Sequence, residues 1–164
     1  MSSTPITPQA GTVFTTPSDC ELLATRAFDA PRELVWKAWT DPAVVPHWMI
    51  GPDGWSMLVC EIDLHPGGRW HFVWRDNAGA SMEMNGEYRE IEPPVRLVNT
   101  ECWGGDWAET VNTLVLSEED GRTVTRCSSL YPSKEARERA LGTGMTEGWA
   151  MSYDRLERWL KENA

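Results

Sequence analysis

The stretch Gly144 to Asn163 constrains the fold more than any other part of this sequence. At about 100° per residue from Met145, the side chains of Trp149, Tyr153, Leu156 and Leu160 fall in one narrow stripe. Gly148, Ser152 and Trp159 extend that stripe on one side, while Glu147, Asp154, Glu157, Arg158 and Lys161 take the opposite face. The pattern predicts one long amphipathic helix with water on one side and a large apolar surface on the other. The rest of the chain has to supply that surface.

Strands supply most of it. The run Cys20 to Phe28 reads as a first strand, and Asp29-Ala30-Pro31 then turns the chain into a helix carrying Leu34, Val35, Trp36 and Trp39. Asp41-Pro42 repeats the start signal and opens a second short helix reaching His47 and Trp48. Beyond the turn Gly51-Pro52-Asp53-Gly54, strand-like runs follow at hairpin spacing. Trp55 to Leu64 and Arg69 to Arg75 flank His65-Pro66-Gly67-Gly68, Met82 to Ile91 and Arg96 to Trp103 flank Pro93-Pro94, and Glu109 to Leu116 and Arg122 to Tyr131 flank Glu119-Asp120-Gly121. In Met82 to Ile91, the residues Met82, Met84 and Tyr88 share one face and Glu83, Asn85, Glu87 and Arg89 the other, so one face of the sheet is wet. Ser133 caps a short helical run through Leu141, which Gly142-Thr143-Gly144 breaks. The expected fold class is α+β, a seven-stranded antiparallel sheet curled around the C-terminal helix with two short helices after strand one. Residues 1–18, rich in Ser, Thr and Pro, read as a flexible arm that Val13 and Phe14 can tack to the body, leaving one domain over 19–164.

Charge narrows the partners. A net charge of −10 and a pI near 4.7 disfavour nucleic acid and anionic membranes, whose affinity is built from clustered Lys and Arg. No run of apolar residues is long enough for a membrane span, and residues 1–10 lack the basic-then-apolar order of a secretory signal, so a cytoplasmic location without membrane insertion is expected. Cys20, Cys60, Cys102 and Cys127 lie far apart without a C-x-x-C pair and read as buried free thiols. With ten tryptophans among 164 residues, much of the core or of a pocket lining has to be indole.

Five motifs in this order resemble one family. FDAPRELVWKAWTDP (Phe28 to Pro42), Trp48 with Gly51-Pro52, Pro66-Gly67-Gly68-Arg69-Trp70, GEYREIEPPVRLV (Gly86 to Val98) and Gly148-Trp149 are similar to the START-like helix-grip superfamily (SRPBCC). The resemblance covers roughly residues 20 to 162 and points to the branch of homologues of the heat-shock-protein ATPase activator. It implies a cavity between sheet and last helix, and a function among lipid and hormone carriers, polyketide cyclases or co-chaperone modules of the stress response. In Trp48-Met49-Ile50-Gly51-Pro52 the chain departs from the family's paired aromatics before Gly-Pro, at what would be the cavity mouth.

The residues themselves offer limited chemistry. His65, His71, Glu61 and Asp63 cluster on one hairpin but lack ligand spacing; pairing of the carboxylates with Arg69 or Arg75 is the expected role, and neither metal nor cofactor is expected. There is no G-x-S-x-G elbow, and the paired glycines at 67–68 and 104–105 are not followed by a phosphate-binding pattern. Acid–base candidates are Tyr88, Glu90, Glu101 and Tyr153, with core packing or solvated pairing as the alternative for each. The remaining constellation is Trp48, Trp70, Phe72, Trp74, Met82, Met84, Tyr88, Trp103, Trp107 and Trp149, with the small Gly148 and Ser152 on the buried arc of the helix leaving volume. The expected function is binding of a small, largely apolar or amphipathic molecule between sheet and C-terminal helix, without an identified catalytic residue. A co-chaperone-like interaction with a protein partner or homodimer, and a cyclase or hydratase acting on an aromatic or polyketide-like ligand, are the alternatives.

Overall fold

The computed structural model describes residues 5–9 and 11–164, with side chains from residue 11 onward. Its nine strands are β1 (Pro5–Gln9), β2 (Thr12–Thr15), β3 (Glu21–Phe28), β4 (Trp55–Ile62), β5 (Arg69–Asp76), β6 (Ser81–Glu92), β7 (Arg96–Glu101), β8 (Thr110–Glu119) and β9 (Arg122–Leu130). They form one antiparallel sheet in the order β1-β2-β3-β9-β8-β7-β6-β5-β4. Among the described residues three α-helices accompany the sheet: α1 (Arg32–Thr40), α2 (Lys134–Leu141) and α3 (Met145–Asn163). The strands expected from alternation are all present, and two more precede them. Of the expected arm, residues 1–4 and 10 lie outside the described residues, while Val13 pairs with Thr25 and Phe14 is fully buried. Phe14 meets Trp149 edge-on at 5.5 Å, so β2 is held by burial against α3 as well as by its ladder.

Local chemistry accounts for the helix ends. Ser133 accepts a hydrogen bond from the Ala136 amide at 3.1 Å and caps α2 as its sequence predicts. Pro31 sits one position before the first residue of α1 with extended backbone, rather than inside the first turn. The second short helix shrinks to a single 3-10 turn at Val45–His47. Pro46 lies inside that turn and has no amide to donate to a continuing helix. Trp48 follows it into the core, where its Nε1 donates to the Ala38 carbonyl at 2.8 Å.

The main core lies between the curled sheet and the stripe of α3. Phe28, Val35, Trp48, Leu114, Leu116, Tyr153, Leu156 and Leu160 are nearly without solvent exposure. Each large apolar side chain sealed there contributes about 1.5 to 3 kcal/mol relative to an exposed one, which is why the helix stripe fixes the curl of the sheet. A smaller cluster of Phe14, Leu22, Ala24, Tyr131, Ala140 and Ala150 closes the side nearest α2.

The opposite face of α3 is not simply wet. Arg26 points inward from β3, is 4% exposed, and reaches Asp154 at 2.9 Å and Glu157 at 3.4 Å. These two carboxylates, expected to face water, are the counterions of a buried guanidinium. The cysteines are free and half-buried rather than fully buried.

Candidate functional site

The inner face of the sheet changes character along its length. On β5, Trp70, Phe72 and Trp74 alternate inward, and their cross-strand neighbours Ile62, Cys60 and Met57 on β4 and Gly86, Met84 and Met82 on β6 lie beside them. The three rings form a continuous wall, with centroids 4.8 Å apart for Trp70 and Phe72 and 5.9 Å for Phe72 and Trp74. At the rim Trp103 stacks on Trp74 at 5.9 Å and 16° between planes. Trp103 and Met82 remain 39% and 43% exposed, which places them at the surface rather than in the interior.

Polar groups follow on β7 and β8. Leu97 packs in the core, so Asn99 and Glu101, at two-residue intervals on the same strand, also point inward; across the ladder Leu97, Asn99 and Glu101 face Leu114, Asn112 and Thr110. Glu101 is the centre of a directed network. Asn112 Nδ2 donates to its Oε1 at 2.7 Å, Trp103 Nε1 donates to its Oε2 at 2.8 Å, and Thr110 Oγ1 donates to Asn112 Oδ1 at 3.3 Å. Burial raises the Glu101 carboxyl above the usual carboxylate range, and the two donors act in the opposite direction. The residue is densely surrounded by protein yet keeps some accessible surface. Cys127, also half-buried, lies nearby; burial and the Glu101 charge push its thiol up to about 12, so it is no nucleophile at neutral pH. Tyr131 donates to Met145 Sδ at 3.6 Å, and Tyr88 is buried beside Asn99 with its phenol well above the ordinary range for the same desolvation reason.

The raised carboxyl makes a testable statement about stability. A group with a raised pKa in the fold contributes stability that is fully present below its unfolded pKa, about 4.3 for Glu, and lost as pH rises through the folded value. The wild type is therefore expected to lose thermal stability relative to Glu101→Gln as pH rises from about 4 to neutrality. Parallel melts across that range measure it, and identical pH profiles would show that Glu101 titrates as an exposed carboxylate.

Other expected site residues take other roles. Trp48 is core, packed on Trp39 at 4.7 Å and on Tyr153 at 6.1 Å. Gly148 and Ser152 do not open volume. A Cβ on Gly148 would lie 3.5 Å from Pro52 Cδ, and Ser152 Oγ accepts the Gly51 amide at 2.9 Å. With Arg155 donating to the Gly51 carbonyl and to Asp53 at 2.7 Å, they clamp the turn at 51–54 onto α3. Trp149 lies against Phe14 on one side and Tyr153 on the other. Glu90 points outward to Arg96 at 3.4 Å, because a bulge between Tyr88 and Glu90 reverses the parity of β6 and turns Ile91 toward the core instead. Tyr153 is core: its hydroxyl is buried beside Thr125 and Trp149 without a well-formed hydrogen bond, and burial holds it protonated. On the outer face, His71 Nδ1 meets Glu61 at 3.2 Å and Nε2 meets Glu83 at 2.7 Å, while His65 meets Asp63 at 3.0 Å. These carboxylates pair with histidines rather than with Arg69 or Arg75.

Glu101 borders neither of two surface depressions. One, of about 440 Å³, is an open groove bordered by Glu61, Arg69, Trp70, His71 and Asn85; the other, of about 190 Å³, is bordered by Phe28, Asp29, Arg122, Glu157, Leu160 and Lys161. Their charged borders do not suit an apolar molecule, whereas the aromatic wall beside Glu101 does. Asn99 and Asn112 were not singled out by sequence reasoning, and Cys127 was read only as a buried thiol; the signal that places them inward is that they share two-residue spacing with buried leucines and threonines.

Comparison with known proteins agrees with this architecture. A family model described as Activator of Hsp90 ATPase homolog 1-like protein matches residues 29–161. A crystal structure from Rhodobacter sphaeroides is 31% identical with a TM-score of 0.82, covering 88% of this chain and 94% of that one. Structures from Nitrosomonas europaea and Mycobacterium smegmatis share the fold at 24% and 23% identity, with TM-scores of 0.80 and 0.78. The first covers 90% of this chain and 98% of its own, the second 87% and 91%. No curated protein matches the chain.

Proposed function

Because the chain belongs to the Activator of Hsp90 ATPase homolog 1-like family, a helix-grip fold, we propose that it binds a small, largely apolar molecule with one polar end between its sheet and α3. The observation that carries this reading is Glu101, an inward carboxylate with accessible surface, held by Asn112 and Trp103 at the end of an aromatic wall. A side chain needed only for packing would not be a carboxylate in that place, since burying its charge opposes folding. The apolar body of the ligand lies along Trp70, Phe72 and Trp74, and its polar end hydrogen-bonds to Glu101. Entry passes beside the half-exposed Trp103, while the turn at 51–54 stays clamped by Ser152 and Arg155.

Affinity is bounded by area. Burying about 200 to 300 Å² of apolar ligand surface supplies roughly 5 to 7 kcal/mol before the costs of association, so micromolar dissociation constants are the upper end of what this wall provides. Neutral aromatic alcohols are expected to quench or blue-shift tryptophan emission with a dissociation constant below about 1 mM. Cys127→Phe, which places a ring beside Glu101, is expected to abolish the response in protein that still melts cooperatively. If no such ligand binds the wild type more tightly than about 1 mM, its own side chains fill the interior, and an interaction with a protein partner becomes the better reading.

A further inference from the structure

Glu101 has hydrogen-bond donors but no counterion. Its partners are the neutral Trp103 and Asn112, and among the described residues no Lys or Arg forms an ion pair with it. The cations nearest in kind are already committed. Arg26 belongs to Asp154 and Glu157, and Arg139 pairs with Asp106 at 3.0 Å while its guanidinium lies 3.9 Å over the Trp107 ring. Protein interiors that bury a carboxylate ordinarily provide a cation or enough donors to saturate its lone pairs. Here two of roughly four acceptor directions are used, by two neutral groups.

The surroundings favour positive charge in two further ways. The faces of indole and phenyl rings carry negative potential, and Trp70, Phe72, Trp74 and Trp103 form a continuous series that ends on Glu101 through the Trp103 indole N–H. The chain as a whole carries a net charge of −10, which concentrates cations and repels anions at the approach. We propose that the interior selects apolar amines, with the ammonium at Glu101 and the hydrocarbon along the ring series, and that it rejects apolar carboxylates such as fatty acids. This rests on the ligand-binding reading above and specifies its chemistry. An ammonium gives Glu101 its missing ion partner and offers three donors to an acceptor-only group. A carboxylate ligand would bring a second negative charge into the same low-dielectric space.

Three ligands of closely matched size separate the cases: 4-phenylbutylamine, 4-phenylbutan-1-ol and 4-phenylbutyrate, titrated against the full chain by calorimetry and tryptophan emission. At about pH 7.5 the amine is expected to bind at least about tenfold more tightly than the alcohol, and the carboxylate more weakly than either. Glu101→Gln keeps the acidic surface almost unchanged, so it removes the specific partner and leaves the general field. In that variant the amine and alcohol are expected to bind within about threefold of one another. Equal binding of amine and alcohol by the wild type overturns the amine selection and leaves the apolar chamber standing. A preference for amine that survives in Glu101→Gln also overturns it, because the net charge then suffices to explain it. Failure of all three to bind overturns both the selection and the chamber.

Discussion

Gly86→Ala is expected to cost about 3 kcal/mol or more, among the largest effects of any single methyl in this chain. A Cβ at that position would stand 1.9 Å from the Thr100 carbonyl oxygen and 2.7 Å from Trp70 Nε1. The first of these is backbone of the neighbouring strand, so no rotamer change relieves it. Accommodation requires β6 to move away from β7, which would also disturb the Asn85–Cys102 bridge and the Glu101 end of the site. Chemical denaturation of wild type and variant measures the loss, and a change of less than about 1 kcal/mol would mean that the two strands are not so closely apposed. Gly148→Ala provides the contrast. Its Cβ would meet Pro52 at 3.5 Å, an ordinary contact, and alanine favours helix over glycine by about 0.8 to 1 kcal/mol, so this variant is expected to be neutral or slightly stabilised. Two glycines from different motifs of the resemblance therefore carry opposite expectations, one for close approach of backbone and the other for a loop contact.

Removing both carboxylates from Arg26, as in Asp154→Ala with Glu157→Ala, is expected to destabilise the protein by about 2 to 3 kcal/mol. Breaking a fully buried ion pair costs more, about 3 to 5 kcal/mol, but Asp154 and Glu157 are 36% and 44% exposed and solvent already screens their share. What remains after their loss is a guanidinium at 4% exposure, with Thr12 Oγ1 at 3.1 Å and the Phe28 ring at 5.4 Å as its other contacts. The destabilisation therefore comes chiefly from the charge left behind. Adding Arg26→Met to the double variant is expected to recover much of the stability, because an apolar side chain of similar length has no charge to leave unpaired. Thermal melts of the three proteins test this; a triple variant no more stable than the double would locate the loss in the helix surface instead.

The order of elements, the period of each strand and the apolar stripe of α3 were written in the sequence, because each depends on the spacing of side chains within one segment. That is why Trp70, Phe72, Trp74, Met84 and Tyr88 were legible as one inward set, and why Trp149 could be placed on the helix stripe. Two early strands were not legible, since β2 is only Thr12–Thr15 and its burial depends on Phe14 finding Trp149 at the other end of the chain. Relations between segments were decided only by tertiary structure. A bulge of one residue near Arg89 turned Glu90 outward while Glu101, on a regular strand, stayed inward. Asp154 and Glu157 lie on the polar side of α3 by periodicity, yet the curl of the sheet brings Arg26 against them. Gly148 and Ser152 are small residues on a buried arc, and only the position of the Gly51–Pro52 turn shows that they are contacts rather than space. Sequence period specifies which way a side chain points from its own element; register, bulges and the packing of distant elements specify what it meets there.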